Sequence, residues 1–213
     1  MYVPVFFSET TAEEIERIIT TYPLATLVTN GADGMIAAHV PMLRSGQDKL
    51  IGHIALNNSM HRDIADGSEA LVIFRSNDGY ISPNWYPSKQ AHHRHVPTWN
   101  YQAVHFNGAL RFDHSEKFKR AVVGRLTKQF ETSVNGEAAW RMADAPKDYM
   151  ASMIDNIVGI ELTVTSMVAK SKLSQNRDKE DFDSVIDQLE KTGPTPLADA
   201  MRRTRNQRAE PKD

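Results

Sequence analysis

Between Leu24 and Phe112 the chain alternates short β-prone runs with residues that turn the backbone sharply, and no other feature constrains the fold as tightly. Leu24–Thr29 and Met35–Val40 flank Asn30-Gly31 and Asp33-Gly34, pairs that tolerate positive φ and suit a hairpin turn. Leu50–Ala55, Ala70–Phe74 and Val104–Phe112 continue the series, with Asn57-Asn58-Ser59 and Asn77-Asp78-Gly79 as turn-formers between them. Ile157–Thr165, rich in β-branched residues, supplies one more strand. Short strands without long helices alternating between them imply a closed or sandwiched antiparallel sheet. The class is therefore mainly β with peripheral helices.

Helices are predicted where the apolar period lengthens. Thr11-Ala-Glu-Glu14 reads as a capping box, with Ile15, Ile18 and Ile19 behind it and Pro23 as its stop. Ser115 is placed to cap a helix carrying Phe118, Val122, Leu126 and Phe130, and a further helix lies near Lys147–Asp155. Phe182, Val185, Ile186 and Leu189 mark a helix that stops at Gly193-Pro194, with no second well-patterned helix after it. Arg202, Arg203, Arg205 and Arg208 then read as a solvated basic tail in preference to a nucleic-acid arm. The chain thus divides into a β-rich body, residues 1–177, and a C-terminal helix with tail, residues 178–213.

Composition narrows the function classes. With 25 basic and 27 acidic residues the net charge is −2, which gives no global drive toward DNA or an anionic membrane. Cysteine is absent, which excludes disulfides, thiol catalysis and thiolate metal sites, and suits a reducing cytoplasm. Met1–Glu16 lacks a basic segment followed by an apolar core, and runs such as Leu71–Phe74 fall far short of the ~18 residues of a membrane span. A cytoplasmic protein without membrane contact is expected.

Three stretches gather polar and aromatic residues. In Gly52–Asp63 a strand ends, a polar turn follows, and His61-Arg62 opens a short helix. His53, Asn58, Ser59, His61 and Arg62 there form either a phosphate pocket or a self-capping turn. Tyr80–Lys89 and Val96–Tyr101 bring prolines and aromatic faces that suit a flat fused ring or a dimer interface, with Lys89 and Asn100 as a polar edge. Lys170–Arg177, beyond the last strand, offers Lys172 for a phosphate and Gln175 and Asn176 for a pyrimidine-like edge. His92, His93 and His95 sit in a loop without an obvious partner element, so no metal site is expected. His39, on an otherwise apolar strand, reads as a hydrogen-bonded core residue. No catalytic triad elbow, zinc-hydrolase, nucleotide-loop or dinucleotide motif is present, so any chemistry would come from a bound cofactor.

Ala38-His-Val-Pro-Met-Leu43, YISPNWYPSK (80–89), VPTWNY (96–101) and KLSQNR (172–177), in this order and spacing, closely resemble the PaiB family over Met1 to about Leu189. That family is described as FMN-binding split-barrel proteins and negative transcriptional regulators. The resemblance implies an antiparallel flavin-binding split β-barrel, a homodimer with FMN between subunits, and DNA as a further partner. It implies that Asn58, Ser59, His61 and Arg62, with His53, hold the phosphate, and that His39 and Pro41 approach the isoalloxazine. Trp99 and Asn100 would come from the loop across, from the same or the partner subunit, and Lys172, Gln175 and Asn176 would close the site. The alternative is a flavin-dependent oxidoreductase of the pyridoxamine-phosphate-oxidase-like class, although this chain has Met60-His61 where those oxidases carry Arg and Lys. A tetrapyrrole on His39, His53 or His105 is a third reading.

Overall fold

The two-residue period selects what each strand buries. In the computed structural model, which describes residues 1–192 and 195–209 apart from the side chains of 206–209, β1 (Leu24–Gly31) buries Ala25, Leu27 and Thr29. β4 (Ser68–Arg75) buries Ala70, Val72 and Phe74. β1 pairs with β2 (Gly34–Arg44) from Leu24↔Pro41 to Gly31↔Gly34, leaving Ala32-Asp33 as the turn and Gly34 at φ +122°. The hairpin expected from the two Gly pairs is therefore formed.

β3 (Lys49–Ala55) follows, then β5 (Gly79–Ile81), β6 (Thr98–Asp113) and β7 (Ile157–Lys172). The sheet order is β4-β1-β2-β3-β7-β6-β5, and a further β4–β6 pairing closes six of the strands into a ring. This is the split-barrel arrangement, with antiparallel pairing in every register described. Gly52 sits where β2 crosses β3: a Cβ there would lie 2.8 Å from the Pro41 carbonyl, so only glycine allows the strands to meet at that register.

Both long strands exceed the apolar runs that announce them. β6 begins at Thr98, inside the stretch read as a loop, and β7 continues to Lys172. The extensions escape an apolar pattern because their inward residues are polar: Asn100, Gln102 and Ser171 are buried and hydrogen-bonded.

The chain forms two compact units. One comprises Met1–Ile18, Arg75–Val104 and the chain from Val168 onward; the other comprises Ile19–Phe74 and His105–Met167. The first holds α6 (Lys179–Lys191) and α7 (Pro196–Ala209), contributed by residues 178–209. Phe182, Val185, Ile186 and Leu189 of α6 pack with Leu197, Ala198 and Met201 of α7 and with Tyr86 and Leu173. The expectation of a solvated tail is corrected here. Only Leu197–Met201 of α7 is apolar enough to mark it, which is too short a run to read as a helix. The Gly193-Pro194 stop and the Arg208 side chain lie outside the described residues.

Gln102 centres a buried polar network in this unit. Its Nε2 donates to Glu14 Oε1 at 2.7 Å and Ser171 Oγ at 2.8 Å, while its Oε1 accepts from Arg17 at 2.8 Å. The capping box read at α1 (Ala12–Thr21) is not made: the Thr11 N–H donates to Glu9 Oε1, and Glu14 is claimed by Arg17 and Gln102.

In the second unit Phe74 and Phe106 meet edge to face, with centroids 5.9 Å apart. α4 (Glu116–Asn135) lays Val122 and Leu126 on Leu43 and Ile51. Ser115 caps α4 as expected, accepting from the Phe118 N–H at 3.4 Å. Ser115→Ala is expected to cost about 1 kcal/mol, read as a lower midpoint in urea with an unchanged slope.

Candidate functional site

In the second unit β3 runs through His53 to Ala55, turns over 56–59, and enters α2 (Met60–Asp63), as the sequence predicts. The turn spends some of its polar groups on itself. Asn58 Oδ1 accepts the Met60 N–H at 3.0 Å, and His61 Nε2 donates to the Leu56 carbonyl at 2.9 Å. Other groups are left for a ligand. Ser59 makes no side-chain cap bond, and the exposed Arg62 guanidinium has long contacts, 3.4 Å to the Leu56 carbonyl and 3.2 Å to His61 Nε2. His53 Nδ1 is buried without a hydrogen-bond partner. Burial holds the His53 imidazole below the usual histidine range, so near neutral pH it is uncharged, with one ring nitrogen a donor and the other an acceptor.

His39 and Pro41 lie on β2. His39 is exposed, not a core residue, because Val40 and Met42 take the inward face.

In the first unit the structure draws Trp99, Asn100, Lys172 and Gln175 together. The Lys172 ammonium donates to Thr98 Oγ1 and, at 2.7 Å, to the Trp99 carbonyl. Burial, then the charges of Lys170 and Arg177, push Lys172 below the usual lysine range. Asn100 is fully buried and donates to Ser174 Oγ at 2.9 Å. Gln175 is also buried; it accepts the Leu173 N–H at 2.7 Å and donates to the Ser171 carbonyl. Both amides therefore brace the β6–β7 end. Trp99 is 53 % exposed and packs edge to face with Tyr80, so its face remains a stacking surface. Lys89 donates to Asn84 Oδ1, and the exposed Asn176 lines a separate cavity with Ser88 and His95.

That cavity holds a cluster that sequence reading missed: Ser88, His95 and Asp181. Asp181 lies 93 positions from Ser88, on α6, and no local pattern signals the contact. A larger cavity of about 580 Å³, in the second unit, is lined by Val28, Thr29, Met35, Leu71, Asn107 and Gly108 among others, and by none of the candidates. Among the described residues no three His, Asp or Glu side chains converge as metal ligands.

The β3–α2 turn fits a phosphate ester. It offers an orphaned buried imidazole nitrogen, a hydroxyl and a guanidinium, all on adjacent chain. FMN carries such a phosphate at the end of a ribityl chain borne by a flat ring and, when bound, supplies hydride and single-electron chemistry.

Residues 1–166 match the family described as "Putative FMN-binding domain". The chain is 33% identical over 193 residues to the "Protease synthase and sporulation protein PAI 2" of Bacillus subtilis, covering 89% of each chain. Solved structures share the fold at low identity. The flavocytochrome Anf3 of Azotobacter vinelandii superposes with TM-score 0.59 at 15% identity, over 85% of this chain and 78% of that one. A FAD and heme binding protein of Mycobacterium smegmatis gives TM-score 0.56 at 19% identity, over 78% and 73%. With the matched region spanning most of its length and carrying the motifs from Ala38 to Tyr101, this chain belongs to the PaiB family of FMN-binding split-barrel proteins.

Proposed function

We propose that this chain is a cytoplasmic FMN-binding protein that works as a homodimer in regulation. The observation that carries the reading is the β3–α2 turn, where His53 Nδ1 is buried without a partner beside the uncommitted Ser59 hydroxyl and the exposed Arg62. These side chains would hold the FMN phosphate. Trp99, Lys172 and Lys89 would be contributed by the partner copy, with His39 and Pro41 toward the ring. Exposed Met35, Val96 and Trp99 supply apolar surface of the kind that association covers. Among the described residues no helix is long and apolar enough to cross a membrane.

The regulatory part is supported by the Bacillus subtilis relative, named for protease synthase and sporulation. Direct DNA contact through α7 is not favoured, because its described arginine side chains face carboxylates: Arg202 meets Glu190 and Asp199, Arg203 meets Glu14, and Arg205 meets Asp183. We therefore expect no retained complex with promoter DNA in a mobility-shift assay near physiological salt; a sequence-specific shift lost on Arg202→Gln would reverse that expectation. The cofactor is tested by titrating FMN with the purified chain. Quenching of flavin fluorescence to a stoichiometric end point is expected, and unchanged fluorescence would remove the reading.

A further inference from the structure

The Ser88–His95–Asp181 cluster fixes a hydrogen-bond order that leaves one group unanswered. Asp181 is 2% exposed, and both its oxygens are occupied: Oδ1 accepts the Ser88 N–H at 3.1 Å and Oδ2 accepts from Ser88 Oγ at 2.6 Å. A hydroxyl has one proton and a carboxylate can only accept, so the Ser88 proton points at Asp181. His95 Nε2, 2.7 Å from Ser88 Oγ, must then be the donor N–H. That leaves Nδ1, which is buried without a partner on a side chain only 5% exposed. The Tyr86 hydroxyl, whose ring lies 4.7 Å from that of His95, is likewise buried without a partner.

The cavity sets two guanidinium groups beside this ring. His95 lines a cavity of about 380 Å³ with Arg94, Arg177, Asn176, His92 and Asp178. The cavity lies at the start of the 13-residue helix α6, whose N-cap residue Asp178 makes no side-chain cap bond. The Arg177 guanidinium is fixed 5.0 Å above the Tyr86 ring. Ser88 satisfies both oxygens of Asp181 without removing its charge, so Asp178 and Asp181 are the two carboxylates that oppose an anion among the described lining residues.

We propose that this cavity binds a small oxyanion, a carboxylate or phosphate group, whose capture is tied to proton uptake by His95. The neutral ring presents a lone pair at Nδ1, and the protonated ring presents an N–H that an anion oxygen would accept. Burial and the charge of Arg177, aided by His92, hold His95 below the usual histidine range against Asp181 and Asp178, so the empty site is neutral near pH 7. An anion reverses that balance. The site does not depend on the flavin reading.

Sulfate is the probe, because its own charge does not change between about pH 6 and pH 8. The full chain, with and without saturating FMN, is titrated at constant ionic strength while the histidine ring nitrogens are followed by NMR. Affinity is expected to rise roughly tenfold for each pH unit lowered on the alkaline side of the His95 titration, with the His95 signals moving as sulfate is added. His95→Gln should remove the pH dependence, and Arg177→Gln should weaken binding about tenfold or more. If Arg177→Gln does not fold, as judged by circular dichroism, Arg94→Gln takes its place. Parallel titrations with acetate and methyl phosphate identify which head group is preferred. Unmoved His95 signals, a pH dependence that survives His95→Gln, or release of FMN in step with sulfate binding would each overturn the proposal.

Discussion

Arg62→Ala is expected to lower FMN affinity roughly tenfold to a hundredfold, the equivalent of one charge-assisted hydrogen bond to phosphate at about 1.5–3 kcal/mol. Arg62 is exposed on a four-residue helix and supports no core contact, so the variant should unfold at the same denaturant concentration as the parent. The loss should shrink with salt, because an exposed charge is screened. His53→Leu offers a contrasting result. It removes the orphaned Nδ1 from a half-buried strand position, so weaker FMN binding should come with unchanged or slightly greater stability in the absence of flavin. FMN affinity unchanged from the parent in both variants would place the phosphate elsewhere.

Gln102→Leu is expected to cost about 3 kcal/mol of folding free energy, because it removes one hydrogen bond from each of Glu14, Arg17 and Ser171 in a buried network where water cannot replace the lost amide. Burial works against the charge of Glu14, yet hydrogen bonds from Arg17 and Gln102 and the charges of Arg17 and Arg203 outweigh it and hold its carboxyl below the usual glutamate range. The unfolded chain therefore binds the proton at higher pH than the folded one. The stabilisation is fully present above the ordinary glutamate range and disappears as pH falls through the lower, folded value. Urea unfolding from neutral pH down into the acid range should show stability falling in the parent, and a flatter profile in Gln102→Leu. A parallel decline in both proteins would show that Glu14 is not the titrating group.

Much of the barrel was legible because its inward residues are apolar and alternate: Ala70, Val72 and Phe74 read directly as a strand, and the Gly pairs around Ala32-Asp33 read as its hairpin. The ends of β6 and β7 were not legible, because Asn100, Gln102 and Ser171 bury amide and hydroxyl groups in place of hydrocarbon. Any periodicity argument passes over such positions. α7 was missed for a different reason: its apolar contact with α6 uses four residues, Leu197, Ala198, Ala200 and Met201, and the described helix beyond them is basic. At the candidate site, the turn into α2 and its residues followed from local chemistry. The commitments of Asn100 and Gln175 to internal bonds, and the meeting of Ser88 with Asp181, depend on distant segments and had no local signal.

Native mass spectrometry of the freshly purified chain after addition of FMN reads the oligomeric state and the bound flavin together. A dimer that retains two flavin molecules, and loses them in the Arg62→Ala variant, is expected. A monomer, or a dimer that leaves FMN free in solution, would contradict it.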